Sequence, residues 1–212
     1  MKSVLISIQP KWCELIANGK KTVEVRKTKP KLETPFKVYI YCTNNKDMLW
    51  ILKESERESR RKITSIFTAK DVGGAIKANG KVIGEFVCDR IDRIAHCGTC
   101  NRDIRLRLVD ENLSCKELNY EYLNNCKLSY SDIDKYSNGC DVFGWHISNL
   151  VIYDEPRELR DFHKYGVCPC GAKPILHCTE NMSFCAKRNL TRPPQSWCYV
   201  SDTGINTSKG EN

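Results

Sequence analysis

Asn18 to Arg26 reads NGKKTVEVR, and the fold turns on how this stretch is read. Upstream, Lys11 to Ala17 has helical spacing, with Trp12, Leu15 and Ile16 as its apolar stripe. Pro10 stands at the favoured first-turn position. The helix is expected to stop at Asn18-Gly19, where glycine adopts the left-handed conformation that ends helices. From Lys21 the residues alternate as in a strand. Thr22, Glu24 and Arg26 fall on one face, and Lys21, Val23 and Val25 on the other. The expectation is a glycine turn that presents Lys21 beside a strand carrying Glu24 and Arg26. An amine desolvated in a cleft can act as base or nucleophile. A glutamate can relay a proton. An arginine offers a planar fork to phosphate or carboxylate. The plainer alternatives are an edge strand with a solvated face, or an internal ion pair of Glu24 with Arg26 or Lys21. Exposed pairs contribute only about 0–1 kcal/mol, a weak reason to keep one.

Working outward, Ser3 to Ile8 alternates as a first strand. Pro35 to Thr43 (PFKVYIYCT) and Gly80 to Ile91 (GKVIGEFVCDRI) read as further strands, and Ile94 to Arg107 as an extension or a partner of the latter. Leu113 to Leu123 has helical spacing, and another short helix runs from Ser129 through Tyr136 to a left-handed stop at Asn138-Gly139. Phe143 to Ile152 reads as a last strand. Asn44 to Asn79 is less regular. Its charge run, Glu54 to Lys62, reads as a solvated face, and Val72 to Ala75 as a turn.

The charge balance is 34 basic to 26 acidic residues, a net +8, which favours a polyanionic partner. No run of about 18 apolar residues exists to span a membrane. The opening MKSVLISIQPKW is too quickly polar for a secretory signal, so a cytoplasmic location is expected. Thirteen cysteines, an odd count without a visible signal, speak against a full disulfide framework and for metal binding or buried thiols.

Gly19-x-Lys21-x-x-Glu24-x-Arg26 after an amphipathic helix and a short strand resembles the signature of the ASCH domain, a relative of the PUA domain. The strands at Pro35 to Thr43 and Gly80 to Ile91, and the run Tyr136 to Leu159, match in order. The closing RPPQSWCYV (Arg192 to Val200) is similar to the end of ASCH proteins common in phages and prophages. The resemblance implies an α+β fold: a small, PUA-like, mixed β-barrel with flanking helices over residues 1–160. It implies binding of RNA or of a nucleotide, including a modified one, in a basic cleft built on the motif. Members of the family that hydrolyse N4-acetylcytidine, and others described as ribonucleases, imply catalytic roles for Lys21 and Glu24. In the amidohydrolase type a threonine stands where this chain has Glu24. A third possibility is a phage-encoded factor that binds a host protein. The binding set read from motif and context is Lys20, Lys21, Glu24, Arg26, Lys27, His146 and Trp12.

Residues 161–200 form a Cys-rich extension, and 201–212 a small, polar tail expected to be disordered. Cys168, Cys170, Cys178 and Cys185 suit a closed tetrahedral zinc site, with Pro169 and Gly171 forming a knuckle. Cys97 and Cys100 have knuckle spacing and could share a site with Cys115, Cys126 or the tail. Cys13, Cys42 and Cys88 read as small core residues. Trp197 and Tyr199 are expected to anchor the tail, or to stack on bases.

Overall fold

The computed structural model describes residues 2–52, 63–64, 75–98, 104–110, 112–166 and 189–201. In chain order they form β1 (Lys2–Ile8), α1 (Pro10–Ala17), β2 (Val23–Arg26), β3 (Phe36–Cys42), β4 (Trp50–Ile51), β5 (Ile63–Thr64) and β6 (Ile76–Lys77). Then come β7 (Val82–Cys88), β8 (Ile91–Gly98), β9 (Ile104–Val109), β10 (Cys115–Glu117), α2 (Tyr120–Cys126) and α3 (Tyr130–Ser137). The chain closes with β11 (Val142–His146), β12 (Ser148–Arg157), β13 (His163–Lys164) and β14 (Trp197–Ser201). No described helix is long and apolar enough to cross a membrane.

The strands make a six-stranded sheet in the order β12-β7-β3-β1-β14-β13, a five-stranded sheet β10-β9-β8-β11-β2 and a small sheet β5-β4-β6. β1 lies parallel to β3 and antiparallel to β14. It is covered on both faces, which is why VLISI is apolar almost throughout. Val4, Ile6 and Ile8 enter the principal core with Val38, Ile40, Phe86 and Trp145. Leu5 enters a second core with Tyr39, Phe162, Leu190 and Val200. A third core joins Val23, Val25, Ile94 and Val142 to Tyr122, Cys126 and Ile133 of the helices. Cys13, Cys42 and Cys88 are fully buried, as their positions predict.

The architecture is α+β, and the described strands of the expected β-barrel fall into separate sheets. Among the described residues no ladder joins the two larger sheets. The reason lies at Ile147. Phe143 to Ile152 reads as one strand, yet the chain breaks there and serves two sheets. β11 pairs with β2 and β8, while β12 pairs with β7. Trp145 sits in the principal core with its ring edge-on to Phe36, centroids 6.0 Å apart. The helix expected over Leu113 to Leu123 starts late. Cys115–Glu117 pairs with β9, and Asn119 caps α2 through its side chain, 2.9 Å from the Tyr122 N–H. The stop at Asn138-Gly139 is as expected, with φ of 49° and 79°.

The closing stretch Trp197–Ser201 is a full strand of the six-stranded sheet, hydrogen-bonded along β1. The charge run at 54–62, the Gly-Gly turn, Cys100 and the tail beyond residue 201 lie outside the described residues. So do Cys168, Cys170, Cys178 and Cys185, the expected zinc ligands.

Candidate functional site

The signature begins as the end of α1 and only then becomes a strand. Gly19 takes φ of 70°, its N–H donates to the Ile16 carbonyl, and the N–H groups of Lys20 and Lys21 both donate to Leu15. Lys21 therefore belongs to the capping turn of the helix. Strand pairing starts at Val23, opposite His146. This overturns the alternation expected from Lys21 onward. Lys21 lies on the side of Glu24, not opposite it, and Thr22 is exposed with its N–H bonded to Asn125. The capping hydrogen bonds, not strand parity, fix where that amine points.

The three charged residues converge. Lys21 Nζ is 3.4 Å from one Glu24 carboxylate oxygen, and Arg26 Nη2 is 3.0 Å from the other. The Lys21 side chain is 2% exposed, Glu24 7% and Arg26 11%. Lys21 also donates to the Cys126 carbonyl at the end of α2. Arg26 Nη2 donates to the Ser7 carbonyl, 2.6 Å away. The Ser7 hydroxyl donates to the Pro194 carbonyl at 2.7 Å, and its N–H donates to Ser196. The signature is thus bonded to the first strand, to α2 and, through Ser7, to the closing segment.

These residues line a cavity of about 470 Å³. Trp12 of α1 stands in its wall, with its ring centroid 5.1 Å from Lys21 Nζ. α3 contributes Asp132 and Tyr136, and Ser7, Gln9, Thr43 and Gln195 add polar atoms. Ser129 caps α3, and hydrogen bonds from its hydroxyl and backbone N–H hold the Asp132 carboxyl below its usual range. The Arg26 Nε–H is buried without a hydrogen-bond partner among the described residues. An orphaned buried donor costs about 1–3 kcal/mol. A volume of this size, walled by aromatic rings with a few convergent polar groups, suits a small-molecule site.

Of the residues read from the sequence, Trp12, Lys21, Glu24 and Arg26 line the cavity; Lys20, Lys27 and His146 do not. Lys20 and Lys27 are exposed, and Lys27 reaches the cavity only by lying over the Tyr136 ring, 5.2 Å from its centroid. His146 is in the strand beside the signature but one residue out of phase with Glu24, which pairs with Trp145. Its ring meets Tyr122 on the opposite face and sits 2.6 Å from an Asp92 carboxylate oxygen. Sequence reasoning missed Tyr136, Asp132 and Gln195. The first two sat in a helix noted only for its caps, and the third in the RPPQ run noted only for its likeness to phage proteins.

The family model of the ASCH domain matches residues 6–128, and the chain belongs to that family. ASCH domains are PUA-like and associated with RNA binding. The crystal structure of ASCH from Zymomonas mobilis is 15% identical, with a TM-score of 0.47 over 94% of this chain and 88% of that one. A point mutant of the same bacterial protein gives 14% identity and a TM-score of 0.48 over 95% and 92%. No curated protein matches the sequence.

Proposed function

We propose that the cavity receives one nucleotide of an RNA strand, with Lys21 and Arg26 as donors and Trp12 and Tyr136 as its aromatic walls. The carrying observation is a cavity in which a fixed amine, a carboxylate and a guanidinium converge between two aromatic walls. A base swung out of a strand is held by hydrogen bonds to its edge and by stacking on aromatic or apolar groups. Glu24 holds both cations in place, so little reorganisation is needed when an acceptor arrives. Asp132 adds a second carboxylate, which disfavours a bare polyphosphate and favours a base edge bearing N–H groups.

The test is calorimetric titration with nucleosides, nucleoside monophosphates and short oligoribonucleotides. Binding should weaken at least ~tenfold in Arg26→Lys, which keeps the charge but loses the fork. Wild-type protein that binds none of these at millimolar concentration overturns the proposal.

Hydrolysis is the second reading, favoured by the contact between the Lys21 amine and the Glu24 carboxylate. Lys21 would serve as base and Glu24 as proton shuttle toward a water or hydroxyl. The Ser7 hydroxyl is already committed to Pro194. Turnover of N4-acetylcytidine or RNA, lost in Lys21→Ala, would establish it.

A further inference from the structure

The loop after β2 opens RKTKPK, from Arg26 to Lys31, with no acidic residue until Glu33. The loop is held at three points. The Trp197 indole N–H donates to Thr28 Oγ1 at 3.0 Å, Pro30 is buried, and the Lys31 N–H donates to the Tyr199 hydroxyl at 2.7 Å. Lys27, Lys29 and Lys31 are left exposed.

Several of these amines are seated on rings. Lys27 Nζ lies 5.2 Å from the centroid of Tyr136, and Lys29 Nζ 5.7 Å from that of Phe143. Beyond them Lys2 Nζ stands 3.7 Å over Tyr199 and 5.0 Å from Tyr165. None of these four lysines forms an ion pair among the described residues. The row starts at Tyr136, a cavity wall, and ends across β14.

We infer that Lys27, Lys29, Lys31 and Lys2 form a rail for the phosphates of a single-stranded polynucleotide that leaves the cavity and runs over the loop and β14. This rests on the cavity's role as a nucleotide site. Charge without counter-charge supplies the attraction. The rings hold Lys27, Lys29 and Lys2 in place, so less side-chain entropy is lost on binding. Residues 27, 29 and 31 are at most about 7 Å apart in steps of two, a spacing that can follow successive phosphates of an extended strand. An extended single strand can also deliver a splayed base into the cavity, which a closed duplex cannot.

The experiment measures fluorescence anisotropy with an eight-nucleotide oligoribonucleotide, the same sequence as deoxyribonucleotide, its duplex, and polyglutamate, each over a range of salt. The wild type should bind single strands with a log–log salt slope near −2.8, about 0.7 for each of four phosphates. The triple variant Lys2→Ala, Lys29→Ala, Lys31→Ala should lose about 2 of that slope and at least ~tenfold in affinity. Its binding of a free nucleoside should match the wild type, since none of the three lines the cavity. The corresponding triple arginine variant should restore the slope. An unchanged slope in the alanine variant, or polyglutamate or duplex bound as tightly as the single strand, overturns the rail. RNA and DNA arms that agree assign it to phosphate alone; a preference for RNA adds a 2′-hydroxyl contact. If oligonucleotides bind with the expected slope but free nucleosides do not, the cavity reading fails and the rail stands.

Discussion

Glu24→Gln should be among the most damaging polar substitutions in the chain, and its effect can be worked from the geometry. The glutamate neutralises two cations at 3.4 and 3.0 Å, all three side chains being nearly excluded from water. At an effective dielectric constant of about 20, each contact carries a gross Coulomb energy of about 5 kcal/mol. Most of that is offset by desolvation of the charges. Removing one partner leaves the desolvation in place, and losses of about 3–5 kcal/mol are usual for buried pairs. Here the loss also leaves Lys21 and Arg26 facing each other across an amide. For a chain of this size that corresponds to a fall of roughly 6–20 °C in Tm. Urea unfolding followed by tryptophan fluorescence measures it directly, at constant m-value. The triple replacement Lys21→Met, Glu24→Leu, Arg26→Met should recover most of the stability while abolishing ligand binding, because an apolar triad removes the unpaired charge. A loss below about 1 kcal/mol in Glu24→Gln, or a triple variant no more stable than the single one, would refute the reasoning.

Thiol reactivity should separate by burial. Burial pushes the Cys88 thiol up to about 12, and does the same for Cys126 despite the nearby Lys21, so neither should react with iodoacetamide at neutral pH while exposed Cys140 does, as peptide mapping would show. Gly84→Ala places a Cβ 2.3 Å from the Val151 carbonyl oxygen, so β7 and β12 must part, and a stability loss of about 1–3 kcal/mol is expected by urea unfolding. Burial alone would raise the Asp92 carboxyl, but the hydrogen bond and charge of His146, then Arg90 and Tyr122, hold it below its ordinary 3.8. Asp92 thus adds stability that is full above that value and is lost as pH falls through the lower folded one. Asp92→Asn should therefore be less stable than wild type at pH 7, with the gap closing in acid.

The local features were legible in residue order. A proline and an apolar stripe announced α1, Asn18-Gly19 its end, and alternating runs of strand-forming residues the long strands. The motif chemistry was equally plain, since only a few side chains can carry charge into a cleft. What one dimension could not hold was the division of strands between sheets. Phe143 to Ile152 reads as one strand, and only the packing of Trp145 against the principal core with β12 on β7 makes Ile147 a crossing point. The same holds for the site. Parity put Lys21 opposite Glu24 because a sequence pattern cannot show that two N–H groups cap the helix on Leu15 and delay the strand. Tyr136, Asp132 and Gln195 lie more than a hundred residues from the motif, and their place in its cavity comes from helix and strand docking over that distance. Sequence by itself determined α1, its glycine stop, most of the long strands and the charged groups of the motif, because those are set by neighbours along the chain. Tertiary structure alone decided which of those groups share a cavity, because that depends on contacts between segments that no local pattern encodes.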